Sequence, residues 1–152
     1  MHTMSALRRP WPRRWSRQPL AWVLALSLTL SAAPSWAGVV VVAHASVRKL
    51  DAETVQRIYA GKVIVVSGVT VSPVHLPSSS LQRQHFMSDL MQQSEDNYQA
   101  YWTVRRYVGK GTPPKEMHSV AEVLGFVSAT PGGIAYVDDA DLPSGANVVW
   151  RR

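Results

Sequence analysis

The chain has 152 residues and a formal charge of +6, a balance that at first suggests nucleic acid or an acidic membrane surface as partner. Residues 1–37 supply five arginines and no acid, and removing them leaves 11 basic residues against 10 acidic ones. The remainder is therefore nearly neutral, which excludes nucleic acid as the expected partner. Cysteine is absent, which rules out a disulfide framework, a thiolate nucleophile or metal site, and a lipid anchor on cysteine.

The first segment has the pattern of an export signal. Arg8, Arg9, Arg13, Arg14 and Arg17 precede the fourteen-residue apolar run "LAWVLALSLTLSAA", too short for a membrane anchor of about 20 residues. "PSWAG" follows, with Ser35 and Ala37 three and one residues before a cut after Ala37. The expectation is a signal peptide over 1–37 and a mature domain over 38–152, delivered to a periplasm.

In the mature chain, "GVVVVAHASV" reads as a strand covered on both faces, because its valines run without polar alternation. "LDAETVQRIYAGK" predicts a short helix capped by Asp51 and ended by Gly61, with Val55, Ile58 and Tyr59 inward. "VIVVSGVTVSPVHL" predicts two strands joined at Ser67-Gly68. "SLQRQHFMSDLMQQ" predicts a helix with Leu81, Phe86, Met87 and Leu90 inward, and "SEDNYQAYWTVRRYVGKG" a third, capped by Ser94 and stopped by Gly109 and Gly111. "TPPKEMH" reads as a loop. Ser119 and Glu122 fit a capping box for a helix that ends at Pro131-Gly132-Gly133, and "GIAYV" and "NVVW" read as strands. Strands alternating with helices predict an α/β sandwich around a mainly parallel sheet.

Three of these helix starts carry acids that complement the helix dipole, and the one after "PSSS" carries none before Asp89. Ser78, Ser79 and Ser80 stand there instead, with Arg83 in the first turn. A capped, solvated linker accounts for these residues; so does an oxyanion held by hydroxyls, amides and the guanidinium. The end of the first strand adds His44 and Ser46, expected at the same edge, where open α/β sheets bind ligands.

Other motifs carry less. "GKGTPP" lacks phosphate-loop spacing and reads as a loop closing a helix. Tyr98, Tyr101, Trp102 and Arg105 form a stripe of the kind that fills cores, the arginine snorkelling or stacking. His44, His75, His85 and His118 have no metal-ligand spacing, although His75 and His85 could meet around the serine loop. The acids of "VDDAD" are ordinary turn composition. No catalytic set, cofactor site or metal site assembles, and a non-enzymatic protein is expected.

Taken together, "LDAETVQRIYAGK", "PVHLPSSSLQRQHF", "YWTVRRYVGKGTPP" and "SVAEVLGFVSATPGGIAYV" resemble the periplasmic phosphate-binding proteins of ABC transporters, and more closely their small stand-alone relatives. The resemblance spans nearly all of Val39 to Val137. It implies a single-lobe α/β domain of the type 2 periplasmic-binding-protein fold, with a mainly parallel or mixed sheet flanked by helices. It also implies binding of inorganic phosphate or a related oxyanion on behalf of a membrane transporter or sensor protein. In the family a Gly-Ser-Gly-Thr-Arg-type segment wraps the phosphate. Ser79 to Arg83 match it; Ser80 and Arg83 carry over, while Leu81 and Gln82 replace the glycine and threonine. With 115 residues for one lobe, weak binding is expected, completed by a dimer or partner. The alternative is an envelope accessory module that kept the fold and lost the ligand, marked by Tyr98, Trp102 and Tyr107 exposed as one patch.

Overall fold

The computed structural model describes residues 38–152; the expected signal peptide lies outside the described residues. Strand β1, Val39–Ala43, is buried along its whole length, as five apolar residues without alternation require. Helix α1, Ala52–Tyr59, starts where the Asp51 carboxylate accepts the Thr54 N–H at 2.6 Å. Its end is a Schellman motif: Gly61, at φ 65°, donates to Ile58 O, and Lys62 donates to Arg57 O at 2.8 Å.

The next segment divides more finely than its sequence suggests. β2 (Val65–Val66) and β3 (Val69–Thr70) form a hairpin whose turn residues Ser67 and Gly68 both have positive φ, as a tight two-residue turn demands. The chain then breaks at Val71 and re-enters the main sheet as β4, Ser72–His75.

Helix α2, Leu81–His85, is capped by Ser80, and its axis continues as a π-helical turn over Phe86–Met91. The wider turn brings Phe86, Met87, Leu90 and Met91 inward together. Leu81, expected inward, is 65% exposed: as the first helical residue it precedes the buried stripe. Helix α3, Glu95–Tyr107, is capped by Ser94 and closed by a second Schellman motif at Gly109. The stretch expected to be only a loop contains a two-residue edge strand, β5 (Lys115–Glu116).

Helix α4, Val120–Ala129, begins at Ser119, whose hydroxyl accepts the Glu122 N–H; the Glu122 carboxylate reaches back to the His118 N–H rather than to Ser119. Replacing Ser119 by Ala is expected to cost about 1 kcal/mol in urea unfolding, because the helix loses its capping acceptor. β6 (Gly133–Asp138) and β7 (Val148–Arg151) complete the chain.

The main sheet has the order β5-β4-β6-β1-β7. It is mixed: β4 is parallel to β5 and β6, whereas β1 is antiparallel to β6 and β7. Gly132, at φ 77°, lets the backbone after α4 pass against Thr70, where a Cβ would lie 1.9 Å from the carbonyl oxygen. The aromatic stripe of α3 is core, as its spacing predicts: Tyr98 and Trp102 are buried, and Arg105 stacks over Tyr101 and Trp102 at 5.6 and 5.4 Å. Tyr107 alone of the suggested patch stays in solvent, 92% exposed, so Tyr98, Trp102 and Tyr107 form no common surface.

Candidate functional site

β4 delivers His75 and Leu76 to its carboxyl end, and the serine loop follows at once. Ser78 and Ser79 are exposed. Ser80 is half-buried and uses its hydroxyl to accept the Arg83 N–H at 3.2 Å, while its own N–H donates to Pro77 O. Leu81 and Gln82, the first two residues of α2, have amides with no acceptor inside the helix, as at any helix start. The first turn holds no acid, in contrast to α1, α3 and α4. Beside this loop lies a crevice of about 200 Å³ lined by Ser78, Gln84, Ser88, Ser94 and Glu95.

Arg83 does not open toward the loop, as its sequence position suggests. It is 2% exposed and forms a bidentate pair with Glu95, Nε to Oε2 at 2.9 Å and Nη2 to Oε1 at 2.7 Å. Its Nη1 donates to Leu76 O, and the guanidinium lies 5.6 Å from the Tyr98 ring centroid. Burial works against the charge, but the Glu95 hydrogen bonds and neighbouring electronegative groups outweigh it and raise the pKa. Arg83 therefore remains a cation, already matched by a carboxylate.

His44 and Ser46 lie at the other end of the sheet. Because β1 runs antiparallel to β6, its carboxyl end pairs Ala43 with Ile134, and β6 in turn pairs Ile134 with Pro73 at the start of β4. The serine loop follows the opposite end of β4. The rule that gathers ligands at the carboxyl ends of strands gathers β1 with β4 only when the two are parallel. His44 and Ser46 bond to each other, Nδ1 to Oγ at 2.9 Å, and the Ser46 hydroxyl also accepts the Gly132 N–H. They hold the turn after β1 against the glycine pair. The six expected residues thus do not form one site; Ser78, Ser79 and Ser80 stay together, with Arg83 behind them.

Beneath the loop is a buried polar network that sequence reasoning misses. His75, 1% exposed, bonds Tyr136 through Nδ1 at 3.1 Å and Tyr98 through Nε2 at 2.8 Å. Tyr98 donates its hydroxyl proton to Tyr59 O, so Nε2 must carry the imidazole proton. Tyr136 then donates to Nδ1 and accepts the Leu76 N–H, and every group is satisfied. Burial, with the Arg83 charge beside it, holds His75 well below the usual histidine range, so it is neutral. Burial likewise raises the Tyr98 and Tyr136 phenols above theirs. His75 faces inward and His85 outward, so the two do not meet at the loop. The one sequence signal for this network is on α3, where Glu95 precedes Tyr98 by three residues and shares its inward face.

No protein-family model matches the chain, and neither does any curated protein. Solved structures do. An ABC-type phosphate transport receptor from Vibrio cholerae superposes with a TM-score of 0.57 at 18% identity, over 74% of this chain and 45% of that one. The chain shares its fold with part of that receptor. A phosphate ABC transporter substrate-binding protein from Clostridium perfringens, with bound phosphate, matches at TM-score 0.57 and 14% identity, over 74% of this chain and 44% of that one. The chain therefore spans less than half the length of either receptor, and at these identities the likeness is one of fold.

Proposed function

We propose that the chain is an exported, non-enzymatic binding protein for phosphate or a related oxyanion that serves an ABC transporter or a sensor. The observation that carries this reading is the start of α2, acid-free and fronted by Ser78 and Ser79. In this reading the anion takes the amides of Leu81 and Gln82 and the free serine hydroxyls, while Arg83, its charge matched by Glu95, holds α2 from inside rather than touching the anion. His44 and Ser46 take no part. One side of such an anion faces water, where each contact is weak, and binding in the millimolar range is expected. The fold shared with receptors of phosphate transport supports the choice of anion.

Thermal melting of the protein against phosphate, with sulfate and chloride at matched ionic strength, tests it. At ten times the dissociation constant, ligand binding adds about 1.4 kcal/mol, or roughly 5 °C. Arg83 is a poor test position because it is buried in its ion pair. Leu81→Pro is better. Proline is tolerated as the first helical residue, and Ser80 already has the extended backbone a proline requires before it. The variant deletes one amide of the proposed cradle and is expected to lose most of the phosphate-dependent rise. An equal rise with all three salts, or an unchanged one in Leu81→Pro with Ser78 and Ser79 also replaced by Ala, rejects the reading.

A further inference from the structure

On the far side of Arg83 and Tyr98 lies a second concavity, a cleft of about 370 Å³ between α3 and the segment that enters β5. Its floor includes Arg83 and its mouth Arg106, Thr112 and Lys115, with Pro113 and Pro114 on one wall. Arg83 spends three of its five N–H groups on Glu95 and Leu76 O, and the Tyr136 hydroxyl also lies close to the guanidinium. Among the described residues, neither Arg106 nor Lys115 forms an ion pair. One acid, Glu116, shares the lining.

The cleft is polar at its floor and mouth and apolar along one wall. Its volume falls at the lower end of the range for small-molecule sites, well beyond what a single tetrahedral oxyanion fills. We infer that this cleft is a second binding site, distinct from the serine loop, for a small organic anion: a carboxylate or phosphate head group on an apolar body. The head group lies between Arg106 and Lys115 with the Thr112 hydroxyl beside it. The apolar body rests on Pro113 and Pro114, and the buried Arg83 guanidinium closes the floor. The site does not depend on the serine loop, which lines the other crevice and shares none of these side chains.

Amide-resolved NMR titration of the protein with phenyl phosphate, benzoate and inorganic phosphate separates the two sites. Saturable shifts at Arg106, Thr112, Lys115 and Glu116 are expected with phenyl phosphate or benzoate, and whichever binds more tightly identifies the preferred head group. Inorganic phosphate is expected to move Leu81 and Gln82 instead; its failure there bears on the serine loop alone. The double variant Arg106→Ala/Lys115→Ala changes exposed residues and leaves the fold intact, and it should weaken cleft binding at least tenfold. The inference is overturned by unsaturable or absent shifts at the cleft with both organic anions, by binding that survives the double variant, or by equal affinity of the cleft for inorganic phosphate.

Discussion

Glu95→Ala is expected to destabilise the protein by about 3 kcal/mol, more than Arg83→Met at the other end of the same ion pair. The asymmetry follows from burial: the Arg83 side chain is 3% exposed and that of Glu95 30%. Removing the carboxylate strands a guanidinium that cannot shed its proton and is almost wholly withdrawn from water, with the Leu76 carbonyl as its main remaining acceptor. Removing the arginine instead leaves a carboxylate that keeps a hydrogen bond from Gln99 at 2.7 Å and can be hydrated. Methionine also fills much of the space the arginine occupied. About 3 kcal/mol is the lower end of the range for breaking a buried pair, chosen because Glu95 admits some solvent. Urea unfolding of both variants measures the difference. An Arg83→Met cost equal to or larger than that of Glu95→Ala would mean that packing, rather than the orphaned charge, holds this corner. The loss in Glu95→Ala should also persist in molar salt, since a buried pair is little screened.

That pair explains why the candidate site was only half legible in the sequence. Local rules worked where the physics is local. Asp51, Ser80, Ser94 and Ser119 each cap the helix that follows, and Gly61 and Gly109 take the left-handed turns that close two of them. The all-valine run of β1 is buried as its lack of alternation predicts. Nothing local ties Arg83 to Glu95, twelve residues away on another helix, so an arginine in a first turn read as an unmatched charge. Strand direction is likewise set by the whole sheet: β1 alone gives no sign that it runs against β6, and that reversal separates His44 and Ser46 from the serine loop. Leu81 shows the same limit on a smaller scale. At 3.6 residues per turn, a residue five before Phe86 lies roughly 140° round the helix from it, so Leu81, a leucine read as inward, faces away from the buried stripe.

His75→Ala is expected to cost about 4 kcal/mol at neutral pH, since it opens a cavity and orphans the Tyr136 hydroxyl proton. A conservative variant isolates the protonation chemistry. His75 faces Tyr59, Tyr98, Tyr136, Phe86 and Arg83, and none of these offers a carboxylate to stabilise an imidazolium. Its pKa is therefore depressed in the folded state and near 6.5 in the unfolded state, so the unfolded chain takes up the extra proton as the pH falls. The stabilisation from keeping His75 neutral is fully present above pH 6.5. It is lost at up to about 1.4 kcal/mol per pH unit below that, until the folded-state pKa is reached. Between pH 7 and pH 5 this amounts to at most about 2 kcal/mol, the bound set by the unfolded-state pKa. His75→Gln keeps a donor and an acceptor but cannot be protonated, so its unfolding free energy should fall less than the parent's over the same interval, by up to about 2 kcal/mol. Parallel slopes for parent and variant would mean that His75 takes up its proton in the fold as readily as in the unfolded chain. The Tyr98 and Tyr136 hydrogen bonds would then have to be reassigned, because a doubly protonated imidazole would need both phenols as acceptors.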